Sequence, residues 1–118
     1  MFKRMRELGK ASANYFRRQL PYALTCYRKV VIATHVPPFA QAVKFNGKRC
    51  SSEQLPFYVN ASAGGVIKGI GAHFPRSQIT VLCGHSHSAT SVRVAPNIEA
   101  WVGGAKPGRP KIQGILDF

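Results

Sequence analysis

Residues 29–39 read KVVIATHVPPF, a short apolar run that leads directly into a histidine and two prolines. The run is rich in β-branched side chains, which predicts a strand over residues 29–34 that is buried on both faces. Pro37 and Pro38 force the chain out of regular structure, because proline fixes φ and lacks an amide N–H. We therefore expect His35 where a strand ends and a loop begins.

The same arrangement recurs downstream, where residues 78–88 read QITVLCGHSHS. Residues 78–83 predict a second buried strand, and His85 and His87 follow it. The intervening chain is long enough for a helical crossover, which would make the two strands parallel neighbours. Because the carboxyl ends of parallel strands meet at one edge of a sheet, the three histidines are expected close together.

The remaining pattern predicts an α/β fold with a mixed sheet and helices. Apolar residues at three- and four-residue steps predict a helix over 1–20, which Pro21 ends, unless Pro21 begins a short second helix that stops before Arg28. The other predicted elements are a loop over 40–52, a partial helix within 53–74 that buries Val59, Ala63, Val66, Ile67 and Ile70, and strands over 90–95, 98–102 and 111–118. We interpret 1–118 as one domain, with a basic helical lead-in over 1–28 and a motif-bearing part over 29–118.

Neutral imidazole is a good ligand for Zn, Mn, Fe and Ni, so His35, His85 and His87 are candidate metal ligands. The alternative is that each is a hydrogen-bonded structural residue, because an isolated His-x-His pair is weak evidence for metal. His73 precedes Phe74 and Pro75 near a helix end, where a capping role is expected. Cys83 is expected to act as a small buried hydrophobic residue.

Residues 34–39 (THVPPF) and 83–87 (CGHSH) resemble the last two signature motifs of calcineurin-like metallophosphoesterases of bacterial type. The resemblance covers the chain from about residue 20 onward and includes the Gly/Pro-rich stretch over 103–110. It implies the C-terminal part of a four-layer α/β/β/α sandwich with a dinuclear metal centre between its sheets. By this resemblance His35 and His85 are ligands of one metal ion and His87 is a ligand of the other.

The implied activity is hydrolysis of phosphate mono- or diesters, with two divalent ions (Mn, Fe, Zn or Ni) holding the phosphoryl group. Lys106 and Arg109 are candidates for contacting the substrate phosphate, and solvated loop charges are the alternative. Trp101 is expected in the core or in a pocket wall.

The aspartates of the family's earlier motifs have no counterpart in this sequence, whose only Asp is Asp117. Two divalent ions a few ångströms apart repel strongly, and anionic ligands must offset that repulsion. We therefore expect an incomplete C-terminal portion that is inactive alone and binds at most one ion weakly. A missing N-terminal half or self-association would cover the apolar face that such a portion exposes.

The sequence has 17 Lys and Arg residues against four acids, a formal charge of +13. Either an anionic partner or balancing acids in a missing segment would explain this excess. A basic nucleic-acid-binding module is therefore the alternative function, and a degenerate relative without activity is a third. The three cysteines have no CxxC spacing, which favours a reducing cytoplasm over a disulfide scaffold. No apolar run approaches the ~20 residues that span a bilayer, and no membrane partner is expected.

Overall fold

The computed structural model describes residues 2–42, 44–45, 48–49, 59–85, 89–104 and 108, which form a mixed α/β fold. In chain order the elements are α1 (Phe2–Cys26), β1 (Lys29–Ala33), a 3₁₀ turn (Ala40–Ala42), β2 (Lys44–Phe45), β3 (Lys48–Arg49), α2 (Ala61–Ala72), β4 (Gln78–Cys83), β5 (Thr90–Ala95) and β6 (Ile98–Val102). The predicted strands over 78–83, 90–95 and 98–102 are confirmed, whereas the predicted strand over 111–118 lies outside the described residues.

The four longer strands form one mixed sheet in the order β1-β4-β6-β5. β1 and β4 are parallel, with Val31 opposite Thr80, so the predicted crossover between them is confirmed. β6 is also parallel to β4, and β5 returns antiparallel to β6. Both parallel strands of the first pair therefore end at the same edge of the sheet.

The core lies between one face of this sheet and the two helices. Ile79, Val81 and Ile98 are fully buried on that face, and Ile67 of α2 packs against them. On the opposite face Val31 and Leu82 are only half-buried, and Trp101 is 43% exposed. The prediction that β1 is buried on both faces is therefore wrong, and of the two expectations for Trp101, core or pocket wall, the structure contradicts the first.

Pro21 neither ends a helix nor begins a second one, because α1 continues through it, although the helical segment does end before Arg28, at Cys26. Leu20 and Leu24 are buried on either side of the proline. Burial of these two side chains offsets the backbone hydrogen bond that proline cannot donate. Leu8 and Tyr15, which belong to the predicted apolar pattern, are 60% and 54% exposed.

The segments that follow β1 also differ from the predictions. Residues 40–52 were expected as a loop, but β2 and β3 pair antiparallel within it. The helix expected within 53–74 is observed as α2, which begins only at Ala61, and residues 50–58 lie outside the described part of the chain. Of the five residues predicted on its buried side, Ala63 and Ile67 are buried, Val66 and Ile70 are half-buried, and Val59 precedes the helix.

Two glycines of α2 allow it to approach its neighbours closely. A Cβ at Gly71 would lie 2.9 Å from Ile98 Cδ1, so this end of the helix rests directly on the sheet. A Cβ at Gly64 would lie within van der Waals overlap of the Pro38 carbonyl oxygen, so the first turns of α2 touch the backbone of the loop after β1. Asn97, in the β5–β6 turn, fixes the other helix end by donating to the carbonyls of Gly71 and Phe74, each at 3.0 Å.

We predict opposite effects for alanine at two adjacent positions of α2. Gly64→Ala should lower the free energy of unfolding by about 1–3 kcal/mol, because the new methyl group meets backbone that cannot move aside. Gly65→Ala should raise it by about 0.5–1 kcal/mol, because nothing lies within 4 Å of its Cβ and alanine favours the helix. Urea unfolding monitored by circular dichroism measures both changes, and equal effects at the two positions would contradict the described packing.

Candidate metal centre

His35 is fixed by backbone pairing that extends past the end of β1. The Thr34 amide donates to the Leu82 carbonyl at 2.9 Å, and the Gly84 amide donates to the His35 carbonyl at 3.0 Å. The parallel ladder between β1 and β4 therefore continues to the residue immediately before His85. This pairing brings the two histidines to the same edge of the sheet.

His85 adopts a left-handed backbone conformation with φ of 69°, the only described non-glycine residue with positive φ. Such a conformation costs an L-residue on the order of 1 kcal/mol, and it persists where the surrounding structure fixes it. Here it accompanies the placement of the His85 ring beside that of His35. The ring centroids are 4.9 Å apart and the ring planes meet at 69°.

The two imidazoles approach through their nitrogens, with His85 Nδ1 lying 3.1 Å from His35 Nε2. This separation suits an N–H···N hydrogen bond in which one neutral ring donates and the other accepts. It also suits two nitrogens on a shared cation, because bonds of ~2.1 Å at an angle of about 95° place the nitrogens ~3.1 Å apart. The second arrangement requires that neither of these two nitrogens carries a proton and that both rings turn their lone pairs towards the ion.

The loop that follows His35 is anchored to the start of α2. The Asn60 amide donates to the Pro37 carbonyl at 2.8 Å, and the Asn60 side chain caps the helix by accepting from the Ala63 amide at 3.2 Å. Pro37, Pro38 and Phe39 are buried beneath this helix end. His35, which is itself exposed, therefore projects from a loop that is held on both sides.

The structure brings together two of the three predicted metal ligands, His35 and His85. His87 lies outside the described residues, as do the candidate phosphate contacts Lys106 and Arg109. Within the described ranges, no group of three or more His, Cys, Asp or Glu side chains is arranged to hold a metal ion. The geometry thus provides a pair of ligand nitrogens rather than a complete coordination sphere.

His73 has the capping role expected of it, whereas Cys83, expected to be buried, is only half-buried. His73 is the C-cap of α2 and its amide donates to the Ile70 carbonyl at 3.0 Å. The Cys83 thiol donates to the Trp101 carbonyl at 3.6 Å, and burial raises the pKa of this thiol from 9.0 to about 11. Cys83 is therefore a neutral thiol at physiological pH in the metal-free protein.

Sequence reasoning missed the two residues that hold the His35 loop, Asn60 and Gly64. Asn60 carried a usable signal, because asparagine is a preferred N-cap and a run of small residues follows it. Gly64 has no sequence signal of this kind, because its contact with Pro38 depends on how the helix meets a loop distant in sequence.

We predict slow alkylation of Cys83 in the folded protein. At pH 8 iodoacetamide should modify it about 100-fold more slowly than in urea, because a pKa higher by two units leaves that much less thiolate. Cys26, which is exposed, should react in both states and serves as the internal control. Peptide mapping by mass spectrometry separates the two sites, and equal rates at Cys83 in the folded and unfolded protein would refute the assignment.

The same raised pKa predicts how stability responds to alkaline pH. Above pH 9.0 the unfolded chain loses the Cys83 proton before the folded protein does. The contribution of this thiol to the free energy of unfolding therefore falls progressively as the pH rises from 9.0 towards 11.

No helix among the described residues is long and apolar enough to cross a membrane. Comparisons with protein-family models, with curated proteins and with solved structures found no match.

Proposed function

We propose that this chain contributes the histidine ligands of a metal-dependent phosphoesterase of the calcineurin-like type. The observation that carries the proposal is the 3.1 Å separation of His85 Nδ1 and His35 Nε2 at the ends of two parallel strands. In this assignment His35 and His85 are ligands of one ion, and His87 is a ligand of the second.

In such a site two divalent ions bind and polarise the phosphoryl group of an ester, and they stabilise the charge that develops during its displacement. The two described imidazoles fit one of these ions as neutral ligands. They supply no negative charge, and the nearest sequence candidate for an aspartate ligand is Asp117, 30 residues beyond His87. We infer that the carboxylates come from another polypeptide segment and that this chain alone binds at most one ion, weakly.

The open face of the sheet supports the proposal that a second layer completes the domain. Val31 and Leu82 are half-buried there, and Trp101 is 43% exposed, although all three are large apolar side chains. A second sheet packed on this face would remove them from water and produce the four-layer sandwich of the family. The segment that brings that sheet would also bring carboxylates to the edge where His35 and His85 end.

A basic nucleic-acid-binding module is the competing function, and the +13 charge favours it. Its affinity would fall linearly with salt on logarithmic axes, with a slope of about −0.9 per duplex phosphate contacted. It would also be indifferent to His35 and His85. The metallophosphoesterase proposal instead requires both imidazoles, so a variant that lacks either His35 or His85 distinguishes the two functions.

We predict that the chain binds one Zn²⁺ or Mn²⁺ ion and that His85→Asn weakens this binding by about tenfold or more, since it removes one of two imidazoles. Asparagine tolerates the left-handed backbone at position 85, so the variant should fold. His73→Asn is the matched control, because His73 is an exposed histidine at the opposite end of α2. Isothermal titration calorimetry at constant pH measures the metal affinity of the unaltered chain and of both variants.

Equal loss of affinity in both variants would indicate adventitious binding to surface histidines and would contradict the assigned site. The activity itself is tested with p-nitrophenyl phosphate, with the chain alone and mixed with a segment that carries the missing aspartate motifs. Hydrolysis should arise only in the mixture and should be lost with His85→Asn. A mixture that binds metal but never hydrolyses the ester would indicate a degenerate relative.

A further inference from the structure

The outer surface of the helix pair contains a groove that the proposed metal centre does not use. α1 and α2 border a shallow depression of about 800 Å³ that is wide open to solvent. Its wall on α1 includes Lys10, Asn14 and Arg17, and its floor on α2 includes Gly65 and Gly69. The buried side of α2, with Ala63 and Ile67, faces the sheet instead.

The floor of the groove is open and largely apolar. Nothing lies within 4 Å of the position that a Cβ would occupy at Gly65 or at Gly69, one helical turn further on. Half-buried Val66 and Ile70 and the buried Ala13 line the same cavity. A floor without side chains at two successive turns allows the backbone of a second helix to approach α2 closely, with apolar contacts on both sides.

The α1 wall of the groove is basic at Lys10 and Arg17, and Lys3 and Arg6 continue the same side of the helix beyond the cavity. Lys3, Arg6, Lys10, Asn14 and Arg17 recur at steps of three or four residues, which places them on one side of α1. The four cationic members are exposed, and Glu7, the single acid in the sequence of α1, lies beside them four residues after Lys3 and three before Lys10. At 1.5 Å per residue, the stripe extends about 21 Å. Arg17 Nη1 donates to Asn14 Oδ1 at 2.5 Å, which directs the guanidinium along the wall.

We propose that this groove binds an acidic amphipathic helix of a partner protein. The apolar side of the partner helix would rest on Gly65, Val66 and Gly69. The carboxylates of that helix, at steps of three or four residues, would pair with Lys10 and Arg17. The charge of the wall selects an anionic occupant, and the apolar floor favours a peptide helix over a phosphodiester backbone, which requires hydrogen-bond donors along its path. The site is independent of His35 and His85.

The test uses a fluorescent peptide of about 18 residues, designed as a helix with Glu on one side and Leu and Ala on the other. A scrambled peptide of the same composition controls for charge alone, and a single-stranded oligonucleotide represents a nucleic-acid ligand. Fluorescence anisotropy should show tighter binding of the helical peptide than of either competitor. The affinity should fall with added salt, because the wall residues are exposed.

Two pairs of variants locate the binding. Gly69→Leu should fill the floor and weaken the peptide about tenfold or more, as loss of a central contact does. Gly65→Leu repeats this test one turn away, and thermal unfolding verifies that both variants fold. Arg17→Ala should weaken the peptide about threefold, whereas Arg18→Ala, an exposed arginine on another side of α1, should leave the affinity unchanged.

Three outcomes would overturn the proposal. The first is equal affinity for the helical and scrambled peptides, which would indicate attraction by net charge without docking. The second is tighter binding of the oligonucleotide, which would assign the basic surface to nucleic acid. The third is unchanged peptide affinity in folded Gly65→Leu and Gly69→Leu, which would place the peptide outside the groove.

Discussion

The candidate metal centre depends on the parallel ladder between β1 and β4 continuing beyond both strands. The Thr34–Leu82 and Gly84–His35 hydrogen bonds add these pairings after the last strand residues, Ala33 and Cys83. They define the position of each histidine backbone before any side chain is considered. The left-handed turn at His85 then accompanies the meeting of its ring with that of His35. A shift of one residue in this register would send the two imidazoles to different places.

α2 packs against both the sheet and the loop that carries His35. Gly64 lets α2 touch the Pro38 backbone, and Asn60 joins the helix cap to the Pro37 carbonyl. At the other end, Gly71 rests on Ile98 and Asn97 caps the last carbonyls of α2. The same helix therefore anchors the ligand loop, covers the core and forms the floor of the outer groove. Two of its glycines, Gly64 and Gly71, are explained by close approaches to Pro38 and Ile98 that a larger side chain would prevent.

The sequence was sufficient to predict features that depend on local pattern. The bounds of β4, β5 and β6, the parallel neighbours and the convergence of His35 with His85 all follow from apolar runs and their order. Features that depend on tertiary contacts were missed. Pro21 lies within α1 because Leu20 and Leu24 are buried beside it, and the exposure of Trp101 depends on what covers the second face of the sheet. Apolar composition predicts that a strand is buried, but it does not say which layer buries it.

Among the described residues, the candidate metal centre consists of two imidazoles, those of His35 and His85. The proposed metal site requires that His35 Nε2 and His85 Nδ1 face a common cation. Crystals grown with Mn²⁺ or Zn²⁺ and measured at the absorption edge of the metal test it directly. An anomalous peak about 2.1 Å from both nitrogens is the predicted result. A fully occupied ion elsewhere, with the two rings still hydrogen-bonded at 3.1 Å, would contradict the account.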